Sequence, residues 1–419
     1  MVLTAPRDPR GAFFYLLMTR SIRIILAIVI VMVTATAKQY TILISFDGFR
    51  HDYLDRGLSP HLQAIANAGV RAASLEPVYP SKTFPNHIAI VTGMYADHHG
   101  IIQNDFFDGA VNRRYKITDT AEVRDARWYK GEALWETAHK QGKVTASYFW
   151  PGSEISDPQR HPDYFERYEM ARPYITRING VLGWLDLPAA KRPDLVTLYF
   201  DATDTQGHRY GPDSPEVNGA IAQLDSIIGI LQQGLTSRGI ADSTNLIILS
   251  DHGMAAIDLA RCIPVYDILK NEPHRAQWNG PTVMIEPTAK NTDAVVNALR
   301  KSLNHAQVYR KEEFPEHFHF RNYELISPVI ITADLGWSLL TKPLSAKDSL
   351  QFERGNHGYD NHLADMHGIF IASGPAFRSG YRTGTLRNID IYPMICRVLG
   401  IQPNPSIDGK LDRIGFILK

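Results

Sequence analysis

From Tyr40 onward the chain alternates between two hydrophobic rhythms. Short, mostly apolar runs at 41–46, 194–200 and 245–250 have the length of strands buried on both faces. Between the last two, residues 216–233 place Val217, Ile221, Leu224, Ile228 and Leu231 at helical spacing. A shorter segment, 59–69, opens on a serine and closes on a glycine, the start and stop signals of a helix. Strand runs separated by helical stretches predict an α/β architecture, a mainly parallel sheet flanked by helices. In such sheets ligands gather at the carboxyl ends of the strands.

The rhythm breaks between about 260 and 345. Residues 282–285 and 325–331 read as strands, 292–303 as a helix, and 312–319 is charged and aromatic. This predicts a small α+β insertion over the site. The core pattern resumes at Gly355 and closes with a helix near 390–399. Residues 38–419 therefore read as one catalytic domain.

Residues 1–37 read differently. Arg20 and Arg23 precede an apolar run, Ile24 to Val33, followed by Ala35-Thr36-Ala37. A positive flank, a short apolar stretch and an A-x-A site predict a secretory leader cleaved after Ala37. The expectation is an exported protein, periplasmic or secreted, with an uncleaved membrane anchor as the alternative.

Composition narrows the partners. Lys plus Arg and Asp plus Glu number 44 each, so the net charge is zero. No global field favours a nucleic-acid polymer or a stable membrane partner, and recognition of phosphate must be local. The two cysteines, Cys262 and Cys396, are too few for a disulfide framework. Cys396 lies in an apolar stretch and reads as a core thiol, with a Cys262–Cys396 bridge as the alternative. The chain's 16 histidines carry more weight, because imidazole is the commonest metal ligand.

Three predicted strands end in ligand-type residues: Asp47-Gly48, then Asp204 with His208, then Asp251-His252. His357 completes a set of six. Asp204 and His208 are four apart, so one helical turn points both at a single ion. Carboxylate oxygen with imidazole nitrogen is a zinc donor set, which manganese and iron share. Six ligands are too many for one ion. Two, about 4 Å apart, would clamp the attacking and leaving oxygens of a phosphoryl transfer. A hydroxyl nucleophile suits this chemistry, and the run Pro80-Ser81-Lys82-Thr83-Phe84-Pro85-Asn86-His87 offers Ser81 and Thr83 equally.

Six ordered segments resemble the nucleotide pyrophosphatase/phosphodiesterase family of the alkaline phosphatase superfamily. They begin at Ser45-Phe46-Asp47-Gly48 and Lys82-Thr83-Phe84-Pro85-Asn86-His87, continue through His99-Gly100-Ile101-Ile102-Gln103-Asn104 and Asp204-Thr205-Gln206-Gly207-His208, and end with Ser250-Asp251-His252-Gly253 and His357-Gly358-Tyr359. The resemblance, to the compact bacterial form, implies an alkaline-phosphatase-like three-layer fold and two Zn2+. It implies Thr83 as nucleophile, with Asp47, Thr83, Asp251 and His252 around one ion and Asp204, His208 and His357 around the other. A phosphoryl-threonine intermediate would form and be hydrolysed by water, and Asn104 would donate to the phosphoryl oxygen that gains charge. Phe84, Trp150, Glu154, Tyr168 and Tyr199 look like the base and ribose side of a small-molecule nucleotide pocket, Glu154 standing where nucleotide-preferring members often have Asp.

Rival readings differ in what they require. A choline-phosphodiester or phospholipid hydrolase of the same family needs an aromatic cage with acidic residues. A phosphate monoesterase needs a cation for the extra charge, and Arg50 is the nearby candidate. An inactive nucleotide- or metal-binding protein has no use for an activated hydroxyl. Oligomeric state is not encoded in these patterns.

Overall fold

The computed structural model describes residues 38–288 and 290–419, so the leader expected at 1–37 lies outside the described residues. Its centre is β1 (Tyr40–Phe46), in which every residue is buried. The main sheet adds β2 (Val70–Ala72), β3 (Thr145–Tyr148), β4 (Tyr164–Glu166), β5 (Leu195–Phe200), β6 (Thr244–Leu249), β7 (Phe370–Ser373) and β8 (Tyr381–Thr383). In space they run β8-β2-β7-β6-β1-β5-β3-β4. All neighbours are parallel except at β7, which is antiparallel to both β2 and β6.

Side-chain alternation assigns each strand to two cores. Ile42, Ile44 and Phe46 face one cluster, while Leu43 faces the other with Ile247 and Leu249 of β6. The first cluster is covered by α1 (Pro60–Ala68) and by α4 (Pro215–Ser237), whose Val217, Ile221, Leu224, Ile228 and Leu231 are all buried. Burying each such side chain stabilises the fold by about 1.5–3 kcal/mol. Ser214 caps that helix by accepting from the Val217 N–H, and Pro215 occupies its first turn. The opposite face is covered by α5 (Ile391–Leu399). Two helices carry site residues: α2 (Thr83–Thr92) and α3 (Ala202–Tyr210). Helices on both faces of a mostly parallel sheet make the three layers expected.

Residues 274–333 build a second, antiparallel sheet in the order His274–Gln277, Thr282–Pro287, Val329–Ala333, Ala306–Arg310. Its last expected strand begins at Val329 rather than Leu325, because Pro328 has no N–H and residues 323–326 form a turn. One face (Val283, Ile285, Ile331) packs on the helix Thr292–Ser302. The other (Met284, Ile330) joins an aromatic cluster that includes Ile88 of α2. The small sheet is thereby fixed against the helix that begins at Thr83. Cys262 and Cys396 are both free, and Cys396 is a buried core thiol. No helix among the described residues is long and apolar enough to cross a membrane.

Candidate active site

The carboxyl ends of the three central strands converge. Asp47 follows β1, Asp251 and His252 follow β6, and α3 begins two residues after β5 with Asp204 and His208 on one face. Gly48 makes the approach possible. Its φ is +65°, and a Cβ there would stand 2.9 Å from the Asp204 Cα. His357 arrives from the distant loop.

The six side chains sort into two clusters, Asp47, Asp251 and His252 in one, Asp204, His208 and His357 in the other. Within each, one ligand atom per residue lies within 4.8 Å of the others. His252 Nε2 stands 3.2 Å from Asp47 Oδ1 and 3.1 Å from Asp251 Oδ2. His357 Nε2 lies 3.1 Å from His208 Nε2 and 3.5 Å from Asp204 Oδ1. The first cluster is sealed from solvent; in the second the Asp204 and His208 side chains retain 19% and 24% exposure, leaving a face open to a ligand.

Three observations fit a pair of cations. Asp47 Oδ1, Asp204 Oδ1 and Asp251 Oδ2 are buried, with only the ring nitrogens of neighbouring histidines facing them, at 3.1 to 3.5 Å, an expensive arrangement for carboxylates unless a cation sits among them. Each histidine turns Nδ1 to a backbone carbonyl: His252 to Gly253, His208 to Gly355 and His357 to Ser81, at 2.8, 3.0 and 2.7 Å. A carbonyl only accepts, so Nδ1 carries the proton and Nε2 presents its lone pair, the usual second-layer support of a metal-binding imidazole. Finally, burial, with Asp251 and Asp204 nearby, pushes the Asp47 carboxyl up to about 7. Burial opposes charge on His252, but Asp251 and Asp47 outweigh it and raise its pKa. Protons are held where a cation would otherwise balance the charge.

Thr83 opens α2 with its hydroxyl 3.4 Å from His252 Nε2, at a helix N-terminus whose dipole favours negative charge. Ser81 is fully buried, its hydroxyl donating to Tyr359 O and accepting from Gly358 N–H, so its geometry is structural. Asn104 Oδ1 accepts from the Phe84 N–H at 2.9 Å, leaving the amide N–H groups of Asn104 with no protein acceptor among the described residues.

A family model described as type I phosphodiesterase / nucleotide pyrophosphatase matches residues 41–360, a span containing all six converging side chains and Thr83. The chain belongs to that family. It is 36% identical to a venom phosphodiesterase of Naja atra over 90% of its own length, and spans just under half, 46%, of that longer protein. A Xenopus laevis bis(5'-adenosyl)-triphosphatase is 36% identical, with 92% of this chain and 83% of the relative aligned. Among solved structures, human ectonucleotide pyrophosphatase/phosphodiesterase 5 superposes with a TM-score of 0.86 at 34% identity, covering 91% of this chain and 100% of that one. The mouse counterpart, an inactive threonine-to-alanine variant in complex with AMP, gives 0.85 at 32% identity over the same shares.

The aromatic residues expected around a nucleotide by this phosphodiesterase-family chain have unequal placements. Tyr168 is 41% exposed and sits edge-on to Phe149 and Tyr199. Phe84 is half-buried against Tyr115. Trp150 is sealed in the core, its indole N–H donating to His87 O, so it packs beneath the site instead of lining it. Glu154 is engaged by Arg124 at 2.7 Å. Tyr199 is buried, and its hydroxyl donates to Asp47 Oδ2 at 2.5 Å, orienting that carboxylate rather than offering a free face. Arg50 is held by Asp52 and Asp213 at 2.6 and 2.8 Å, which occupies the charge a monoester would need.

Two supporting residues escaped sequence reasoning. His87 links Ser45 Oγ, Thr83 O and Asp251 Oδ2 at 2.8, 2.8 and 3.3 Å. Its position four residues after Thr83, on the same helix face, was the available signal. Lys82 donates to Asn356 Oδ1 at 2.9 Å, tying the residue before Thr83 to the residue before His357.

Proposed function

We propose that the chain is a two-zinc phosphodiesterase that hydrolyses nucleotide phosphodiester or pyrophosphate bonds to a 5'-nucleotide through an ester on Thr83. The observation that carries this reading is the pair of adjacent carboxylate–imidazole clusters, Asp47, Asp251 and His252 beside Asp204, His208 and His357, with the Thr83 hydroxyl 3.4 Å from His252 Nε2. Asp47, Asp251 and His252, with Thr83, would hold one ion, and Asp204, His208 and His357 the other. Bound there, the pair would supply Lewis-acid stabilisation of charge and lower the pKa of the hydroxyl.

Thr83 Oγ attacks phosphorus, its proton passing through solvent to the leaving oxygen, and the bond from phosphorus to that oxygen breaks with its electron pair. Asn104 donates its amide N–H to the phosphoryl oxygen on which charge accumulates. Water then cleaves the Thr83 ester, releasing the nucleotide and restoring the hydroxyl. Phe84 and Tyr168 supply aromatic surface for a base, worth about 1–3 kcal/mol per stack. The exported location remains part of this reading, and Lys38 is the first residue expected on sequencing the mature protein.

The test is a product assay with ATP, a nucleotide sugar, a dinucleotide and a lysophospholipid, each with and without chelator. Release of 5'-nucleotide, abolished by chelator and restored by zinc, is expected. Cleavage of the lysophospholipid alone would overturn the nucleotide assignment.

A further inference from the structure

The two clusters are built from unlike donors. Asp47 and Asp251 give the sealed, inner one two carboxylates for one imidazole, whereas the outer one has Asp204 alone beside His208 and His357. A cation entering the outer cluster would meet one negative charge instead of two. Lys82 makes the deficit larger. Its ammonium donates to Asn356 Oδ1 at 2.9 Å, and a Cβ on Gly358 would stand 2.5 Å from its Cε, so it lies against the residues on both sides of His357.

Glu353 stands where this deficit can be made good. Its Oε2 lies 3.2 Å from His208 Nδ1, next to Gly355 O at 3.0 Å. For His252 and His357 the contacts with acids are made at Nε2, and Nδ1 meets a carbonyl. For His208 an acid stands at Nδ1 as well. Nδ1 and Nε2 are on different edges of the ring, so the carboxylate supports the imidazole from behind and leaves the Nε2 lone pair to an ion.

The backbone carries Glu353 to this place. Residues 355 and 356 pair antiparallel with 256 and 255, and the Arg354 N–H donates to His208 O at 2.8 Å. Gly355 permits the approach, because a Cβ there would stand 2.4 Å from Gly207 O. The same short segment that leads to His357 therefore lays Glu353 over the last turn of α3. Its side chain keeps 52% exposure, so replacing it leaves the core intact.

We propose that Glu353 is a positioning residue for the outer ion. Its carboxylate fixes the His208 ring, makes that imidazole a stronger donor and supplies the negative charge the outer cluster lacks. The outer position depends on Glu353 and the inner one does not. The inference rests on the two-ion reading above.

The experiment measures zinc affinity at both positions, by competition with a chromophoric chelator, in the wild type, E353Q and E353A. The wild type is expected to release two ions, and E353A to bind one of them about 10–100-fold more weakly while the other keeps its affinity. E353Q retains an acceptor without the charge and should fall between. In an H208A background, E353A should leave the remaining ion unchanged, since the ring through which it acts is gone. Should H208A prove insoluble, the single variants decide. Equal weakening of both ions by E353A marks a general loss of structure and overturns the proposal, as does an E353Q that matches the wild type. In both cases the wild type still holds two ions and the phosphodiesterase reading stands. A wild type that holds fewer than two takes down that reading and this inference with it.

Discussion

The rings of His252 and His357 lie stacked, with centroids 3.5 Å apart and planes 15° from parallel. One belongs to each cluster, so the stack fixes the spacing between the two candidate ion positions. His357 is anchored in turn by Ser81 O, two residues before Thr83. The spacing of the two clusters and the position of Thr83 are therefore set by the same contacts.

Thr83→Ala should reduce turnover of a nucleotide diester by at least about 10³-fold, while metal content measured by mass spectrometry stays that of the wild type. Turnover within ten-fold of the wild type would transfer the nucleophile to another group. Ser81→Ala is the contrasting variant. It strips a donor from Tyr359 O and an acceptor from Gly358 N–H, and should lower stability by about 1–3 kcal/mol.

Asp47→Asn should act oppositely with and without metal. In chelator-treated protein it removes one of three carboxylates that crowd a buried space, so its melting temperature should exceed that of wild-type apoprotein. In zinc-saturated protein it removes a ligand, and the order should reverse. Melting curves that keep the same order in both conditions would show that no cation binds there.

Tyr199→Phe keeps the ring and deletes the donor to Asp47 Oδ2. Loss of such a support typically weakens metal binding about 10–100-fold. Competition against a chromophoric chelator measures it, and unchanged affinity would make the tyrosine a packing residue only.

His99 is fully buried, accepting from the Ile101 N–H at Nδ1 and donating from Nε2 to Pro85 O. Burial pushes its pKa down from 6.5 to about 3. The unfolded chain therefore binds this proton first as acid is added. Stability attached to His99 is intact above pH 6.5 and is lost progressively as the pH falls from 6.5 towards 3. Denaturant midpoints of the wild type should decline over that window more steeply than those of His99→Gln, which has no such proton to bind. Parallel slopes would contradict this account.

What the sequence disclosed was governed by adjacency. Asp47, Asp204 and Asp251 follow apolar runs that could only be central strands, so their convergence was readable from position alone. Trp150 was not readable, because an aromatic before a Pro-Gly pair looks the same whether it faces a cleft or a core; here it packs under His87. The role of Tyr199 depends on a hydroxyl reaching across to the neighbouring strand end, which strand periodicity does not specify. Arg114, Arg275 and Lys342, which line the cleft beside Lys82 and Asn104, lie outside every recognisable motif. Only the packing of the small sheet against α2 brings them together.

The reversed strand β7 has a consequence for how the molecule is made. It sits between β2 and β6 and is translated late, at residues 370–373 of 419, so a nascent polypeptide lacking it has a gap within its sheet. Pairings that span such long sequence separations form slowly. A chain halted before Phe370 would carry all six candidate metal-binding side chains and yet leave β6, the strand that delivers Asp251 and His252, without its outer neighbour.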